Sequence, residues 1–127
     1  VLQYSGLGDL IGNAVASANL PIVLVAFIVA ALVRICVGSA TVAMTMAAGI
    51  IAAMPGISEL PPLYLACVVA AVAGGSTVCS HFNDSGFWLV RSLVGVDEKT
   101  NLKTWTIMET LVGFSGFVVA FIISLFV

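Results

Sequence analysis

Apolar positions in this chain fall into long runs, and the polar positions gather in a few short gaps between them. Leu20 to Val33 is an unbroken apolar run of 14 residues, closed by Arg34. That is short of the roughly 20 residues a helix needs to span a bilayer. A small, polar stretch, Val37-Gly38-Ser39-Ala40-Thr41-Val42, then interrupts the pattern before a second short apolar stretch, Ala43 to Met54. Two short arms with a polar tip predict a re-entrant hairpin over residues 20–54. Such backbone is tolerated at membrane depth only where protein or a water-filled cavity covers it. The alternative is a single long helix carried through Gly38.

After the turn Pro55-Gly56-Ile57-Ser58-Glu59-Leu60-Pro61-Pro62, the chain is apolar from Pro62 to Cys79, with an interruption at Gly74-Gly75-Ser76-Thr77. A polar heptad follows, Ser80-His81-Phe82-Asn83-Asp84-Ser85-Gly86, and then a short apolar arm from Phe87 to Val94. Ionisable groups at membrane depth cost at least about 2.5–3.5 kcal/mol each and are usually functional. Residues 62–95 are therefore expected to form a broken transmembrane helix, the device with which many transporters hold solute at mid-membrane. Residues 96–103 are hydrophilic and predict a loop; residues 104–127 predict the last span, with Glu109 as its one charge. Residues 1–19 carry Leu7, Leu10, Ile11 and Val15 at helical spacing among glycines, and are expected to be the end of a helix.

Composition turns this pattern into a class. The chain is 61% hydrophobic and 8% charged, with a mean hydropathy of +1.23. A soluble domain carries roughly 25% charged residues, so this is an all-α membrane protein. Four basic residues cannot line a nucleic-acid site. Arg91, Lys99 and Lys103 gather near the 96–103 loop, which puts that loop in the cytoplasm, with Trp88 and Trp105 as interface aromatics. The three cysteines sit in apolar runs and read as small buried hydrophobes. Both chain ends fall inside apolar or helical pattern, so the whole is expected to be one membrane fragment, residues 1–127, of a longer polytopic protein.

Two constellations could carry chemistry. Arg34 beside Gly38, Ser39 and Thr41 would place a guanidinium near the N-terminus of the next short helix. Helix N-termini favour anions, and arginine grips a carboxylate by two parallel bonds, so an anionic solute is one reading. The other is a structural pair with Asp84, Asp9 or a carboxylate elsewhere. In the heptad, Ser80, Asn83 and Ser85 suit hydroxyls, while Asp84 and His81 are the groups able to take up a proton. Against that, His81 could simply fix the loop by hydrogen bonding, and Asp84 could cap the Phe87 arm in competition with Ser85. Glu109 is expected to be solvated or packed, and Met44 and Met46 to be packing. Catalysis finds no support, because Ser80, His81 and Asp84 lack a nucleophile elbow and sequence neighbours rarely make triad geometry. A lone histidine and scattered cysteines do not give metal-ligand spacing.

Arg34 with Gly38-Ser39-Ala40-Thr41-Val42-Ala43, then Ser80-His81 with Asn83-Asp84-Ser85-Gly86-Phe87-Trp88-Leu89-Val90, then Leu102-Lys103-Thr104-Trp105-Thr106 with Glu109-Thr110, resemble the C-terminal region of the gluconate permease family. These are proton symporters for gluconate and related sugar acids within the ion transporter superfamily. The resemblance covers nearly the whole chain, although Val37 and Phe82 stand where the family pattern has a glutamine and a smaller aliphatic. It implies inverted repeats, this chain being the C-terminal repeat, with hairpin and broken helix meeting at the solute site. Arg34 and the backbone of Gly38, Ser39 and Thr41 would hold the carboxylate; Ser80, Asn83 and Ser85 would meet the hydroxyls. Asp84 and His81 would couple the proton.

The implied setting is a multi-pass protein of the bacterial inner membrane that needs no cofactor. Its partners would be the sugar acid, the proton, the lipid bilayer, the N-terminal part of the same transporter and, as an open question, a second copy. Competing expectations are a sodium-coupled carboxylate transporter, a non-transporting membrane scaffold, and a truncated product.

Overall fold

A computed structural model describes residues 20–127 and, before them, Asn13 alone, which is helical and exposed. The expected helix end at residues 1–19 therefore lies outside the described residues. The described chain is helical, and no strand occurs among the described residues. Helix α1 is Ile22–Val37 and α2 is Ala40–Ala52. A 3-10 turn, Ile57–Glu59, leads to α3, Pro62–Thr77, and then to α4, Ser85–Val94. A continuous helix α5, Glu98–Ser124, ends the fold.

Sequence chemistry accounts for most of these ends. Pro21 precedes the first residue of α1 and Pro62 opens α3, where a missing N–H costs nothing. Gly38 ends α1 in the left-handed region, φ 78°, returning its N–H to the Arg34 carbonyl. Ser39 restarts the chain by accepting from the Val42 N–H. The chain is thus not one helix through Gly38: α1 and α2 are separate, and they pack against each other.

Helix α3 is the hub, packed against α1, α2 and α5. The core that joins them sets alanines from each of these four helices, Ala26 and Ala30 of α1, Ala47 of α2, Ala71 of α3 and Ala120 of α5, among larger side chains such as Val23, Ile51, Val68 and Phe117. Phe27 stacks on Phe117 with centroids 4.3 Å apart. Lipid offers apolar surface as favourable as leucine, so helices associate in it by close approach, which small residues permit. That also explains why Gly74-Gly75 does not interrupt α3, which runs on to Thr77. A Cβ on Gly74 would lie 2.6 Å from the Gly113 carbonyl oxygen of α5, and one on Gly75 would lie 2.4 Å from the Phe27 carbonyl oxygen of α1. Neighbouring glycines thus seat two different helices on α3.

The segment 96–103 also departs from expectation. Instead of a loop through 103, α5 starts at Glu98, capped by the Asp97 carboxylate, which accepts from the Thr100 N–H at 3.1 Å. Thr100, through its side chain first and then its backbone, holds the Asp97 carboxyl below the usual carboxylate value. The charges that suggested a loop occupy the exposed first turns of a helix, and Arg91 reaches Glu98 at 2.7 Å across the short turn. Residues Leu102–Thr106 form a π turn inside α5. At 27 residues α5 is long and apolar enough to cross a membrane, and only 17% of its most apolar window is buried by the chain itself. Helices α1, α2 and α3 are apolar but shorter.

Close approach of α3 and α5 predicts the effect of a single methyl. Gly113→Ala should lower stability by about 1–3 kcal/mol, since the new methyl would meet the Gly74 carbonyl oxygen at 2.4 Å and the Val78 side chain at 2.9 Å, and the backbone oxygen cannot give way cheaply. Gly116→Ala, where nothing stands within 4 Å, should be neutral or slightly stabilising. Unfolding of the purified variants in a denaturing detergent series checks both.

Candidate functional site

The two helix breaks meet. Between α3 and α4 the chain leaves helical geometry from Val78 to Asp84, and there the polar heptad begins to act. Cys79 takes a positive φ of 58°, which costs a non-glycine residue roughly 1 kcal/mol and is held by its neighbours. Its N–H donates to the Thr110 hydroxyl at 3.1 Å, and its carbonyl lies 2.7 Å from His81 Nδ1. Because a carbonyl only accepts, Nδ1 carries a proton. A turn closed by the Asp84 N–H on the His81 carbonyl, at 2.8 Å, then delivers Asp84 to the start of α4.

Asp84 settles the competition for the cap and does more besides. One carboxylate oxygen accepts from the Gly86 N–H at 3.0 Å. The other accepts from the Ser80 hydroxyl and from Arg34 Nη2, the latter at 2.5 Å. Arg34 Nη1 also donates to the carbonyl of Gly38. Arg34 is 3% exposed and Asp84 8%, so this is a buried pair. Each charge sits where a helix dipole favours it, Arg34 in the last turn of α1 and Asp84 at the N-terminus of α4. Nε of Arg34 has no partner among the described residues.

Gly38 and Asn83 complete the contact. The Asn83 amide donates to the Ile35 carbonyl at 2.8 Å, satisfying one of the orphan carbonyls at the end of α1. A Cβ on Gly38 would lie 2.2 Å from the Asn83 carbonyl oxygen, so only glycine fits there, for space as well as for its φ. Arg34, Gly38, Ser80, Asn83 and Asp84 thus form one cluster. Ser39 is spent on capping α2, and Thr41 and Ser85 are exposed and make no described side-chain bond to the cluster. His81 is partly buried against Cys79, and Glu109 is partly buried on α5, in no ion pair among the described residues.

Three further residues on α5 reach the break, and residue types alone gave them no such role. Trp105, expected at the interface, donates its indole N–H to the Ser80 hydroxyl at 2.8 Å. Thr106 donates to the Ser80 carbonyl. Asn101, 1% exposed, donates to the Phe87 carbonyl at 2.7 Å. The available signal was their spacing with Thr110 along one face of the last helix. A separate cavity of about 450 Å³ between α2 and α3 is lined by Met44, Ala48, Ile51, Leu65, Val68 and Val72 among others. It is almost wholly apolar and contains none of the cluster.

Removing one member of the buried pair should cost more than neutralising both. Arg34→Met should lose about 3–5 kcal/mol because it strands the Asp84 carboxylate. Arg34→Met with Asp84→Asn should recover part of that loss, since asparagine carries no charge and still caps α4. Equilibrium unfolding of the single and double variants reads the difference.

Comparisons with known proteins cover nearly the whole chain. The profile of the GntP family permeases matches residues 1–126. The low-affinity gluconate transporter of Escherichia coli (strain K12) is 45% identical over 124 residues, 96% of this chain and 27% of that protein. The gluconate permease of Pseudomonas aeruginosa is 41% identical over 125 residues, 98% of this chain and 27% of that protein. The Gnt-II system L-idonate transporter of Escherichia coli (strain K12) is 39% identical over 116 residues, 91% of this chain and 26% of that protein. The chain thus spans about a quarter of the length of the curated relatives it matches. No solved structure matches it.

Proposed function

The chain belongs to the GntP permease family, and from that premise we propose that it forms part of a secondary transporter carrying gluconate or a related sugar acid inward with protons. The family is one of membrane transporters, and the reading is of transport rather than catalysis. Relatives named for gluconate and for L-idonate support a sugar acid as solute. In this reading α1 and α2 are the arms of a re-entrant hairpin, α3 and α4 the halves of a broken transmembrane helix, and the whole a multi-pass protein of the bacterial cytoplasmic membrane.

One observation carries the mechanism: the 2.5 Å pair of Arg34 and Asp84, which joins the tip between α1 and α2 to the break between α3 and α4. A solute carboxylate and the Asp84 carboxylate compete for the same guanidinium. A proton on Asp84 cancels its charge and weakens its hold on Arg34. The solute carboxylate then takes that place, with the unpartnered Nε available to its second oxygen. One carboxylate replaces another, so the site keeps its charge balance through the exchange. Release of the proton restores the pair and expels the solute. Asn83 lies beside this exchange as a partner for sugar hydroxyls, the buried Ser80 hydroxyl backs the Asp84 carboxylate rather than the solute, and Gly38 and Ser39 supply the adjoining backbone. Thr41 and Ser85 flank the tip and the break, and His81 Nε2 is a second proton acceptor near the break.

The reading predicts a separation of two activities. Asp84→Asn in the full-length protein should abolish uptake driven by a pH gradient while exchange of labelled against unlabelled solute continues. Driven uptake at the wild-type rate would remove Asp84 from the coupling. Arg34→Lys should weaken sugar-acid binding far more than it lowers protein abundance, because an ammonium cannot offer the two parallel bonds. Equal losses in both would make Arg34 a structural residue only.

A further inference from the structure

We infer that Trp105 is a positioning residue for the proton-binding carboxylate, acting on Asp84 through the hydroxyl of Ser80. The inference rests on the transport reading above and adds a part of the chain that neither breaks nor binds.

The argument is one of donors and acceptors. An indole N–H only donates, so at 2.8 Å the Ser80 oxygen must accept from Trp105. A serine hydroxyl has one proton, and an ionised carboxylate only accepts. With Trp105 occupying an acceptor direction of Ser80, the hydroxyl proton is left to point at Asp84, where the bond is made. Trp105 therefore fixes which way the hydroxyl faces. Ser80 is fully buried, so no water competes for either bond. Its carbonyl is held in turn by the Thr106 hydroxyl, one residue along the same turn. Both residues lie in the π turn Leu102–Thr106, and π turns inside α-helices recur at functional sites. Thr110, one turn further on, holds the Cys79 N–H. The strained Cys79 and the Ser80 beside it are thus clamped from one face of α5.

When Asp84 takes a proton, the Ser80 bond must weaken or reverse. Trp105 disfavours reversal, because it takes one of the two acceptor directions of Ser80, and a hydroxyl proton displaced from Asp84 cannot turn toward the indole N–H. The relay thus favours the ionised form of Asp84 and sets how readily it accepts a proton. The titratable groups around the relay are Asp84 and His81 of the break, Arg34 of α1 and Glu109 of α5.

A double-mutant cycle on the full-length protein tests this. Trp105→Phe keeps the ring and removes the N–H. It should lower proton-driven gluconate uptake about fivefold, the worth of one ordinary hydrogen bond, and move the pH profile of uptake. In a Ser80→Ala background the same change should have no further effect on rate or profile. An unchanged rate and profile in Trp105→Phe, or an equal loss with and without Ser80, would overturn the relay. Should Trp105→Phe fail to fold, the indole ¹⁵N–¹H resonance of Trp105 in the otherwise native protein replaces it. That resonance should shift in Asp84→Asn, and an unmoved one would overturn the relay. Absence of proton-driven uptake by the wild-type protein would instead overturn the transport reading, while the indole resonance still reports on the relay.

Discussion

Two charges buried in an apolar chain depend on each other, and the rest of the structure is arranged around that dependence. Arg34 and Asp84 are fifty positions apart, and neither has another charged partner among the described residues. A buried charge left alone is several kcal/mol worse than one that is paired and hydrogen-bonded. Here Ser80, Gly86 and the carbonyl of Gly38 supply those bonds, and two helix ends supply the dipoles. The same arrangement would be poor engineering for stability alone, because well-packed apolar residues often serve as well as a buried ion pair. Its use becomes apparent if one of the charges is to be exchanged.

The scaffold achieves this with small residues. Gly74 and Gly75 let α5 and α1 approach α3 at backbone distance, which in lipid stands in for the hydrophobic drive that water supplies to soluble proteins. Close packing at Gly113 leads directly along α5 to Thr110, Thr106, Trp105 and Asn101, each of which bonds the broken segment or the first turn of α4. The helix that spans most plainly is thus also the frame for the least regular stretch of backbone. Stability and site geometry share one helix face, and a shift of α5 would be felt at Ser80.

Both helix breaks were legible in the sequence, because polar residues and glycine set into long apolar runs mark the places where the helical pattern stops. Gly74-Gly75 misled for the opposite reason: a glycine pair looks like an interruption unless the helices it admits are known. Charges at Asp97, Glu98 and Lys99 read as a loop, although Asp97 is an N-cap and the helix begins at once. Residue types could name Arg34 and Asp84 as candidates but could not choose among three sources of a partner carboxylate. That choice is made by the meeting of two breaks distant in sequence. Trp105 read as an interface anchor because aromatic residues near a charged segment usually are; its indole N–H bond to Ser80 exists only in three dimensions.

The most direct test of the account uses the full-length protein in sealed vesicles, following uptake of labelled gluconate under an imposed inward proton gradient, with and without sodium. Exchange of carboxylates at Arg34, driven by a proton on Asp84, predicts uptake that requires the proton gradient and ignores sodium. Uptake that requires sodium and is indifferent to the proton gradient would contradict it.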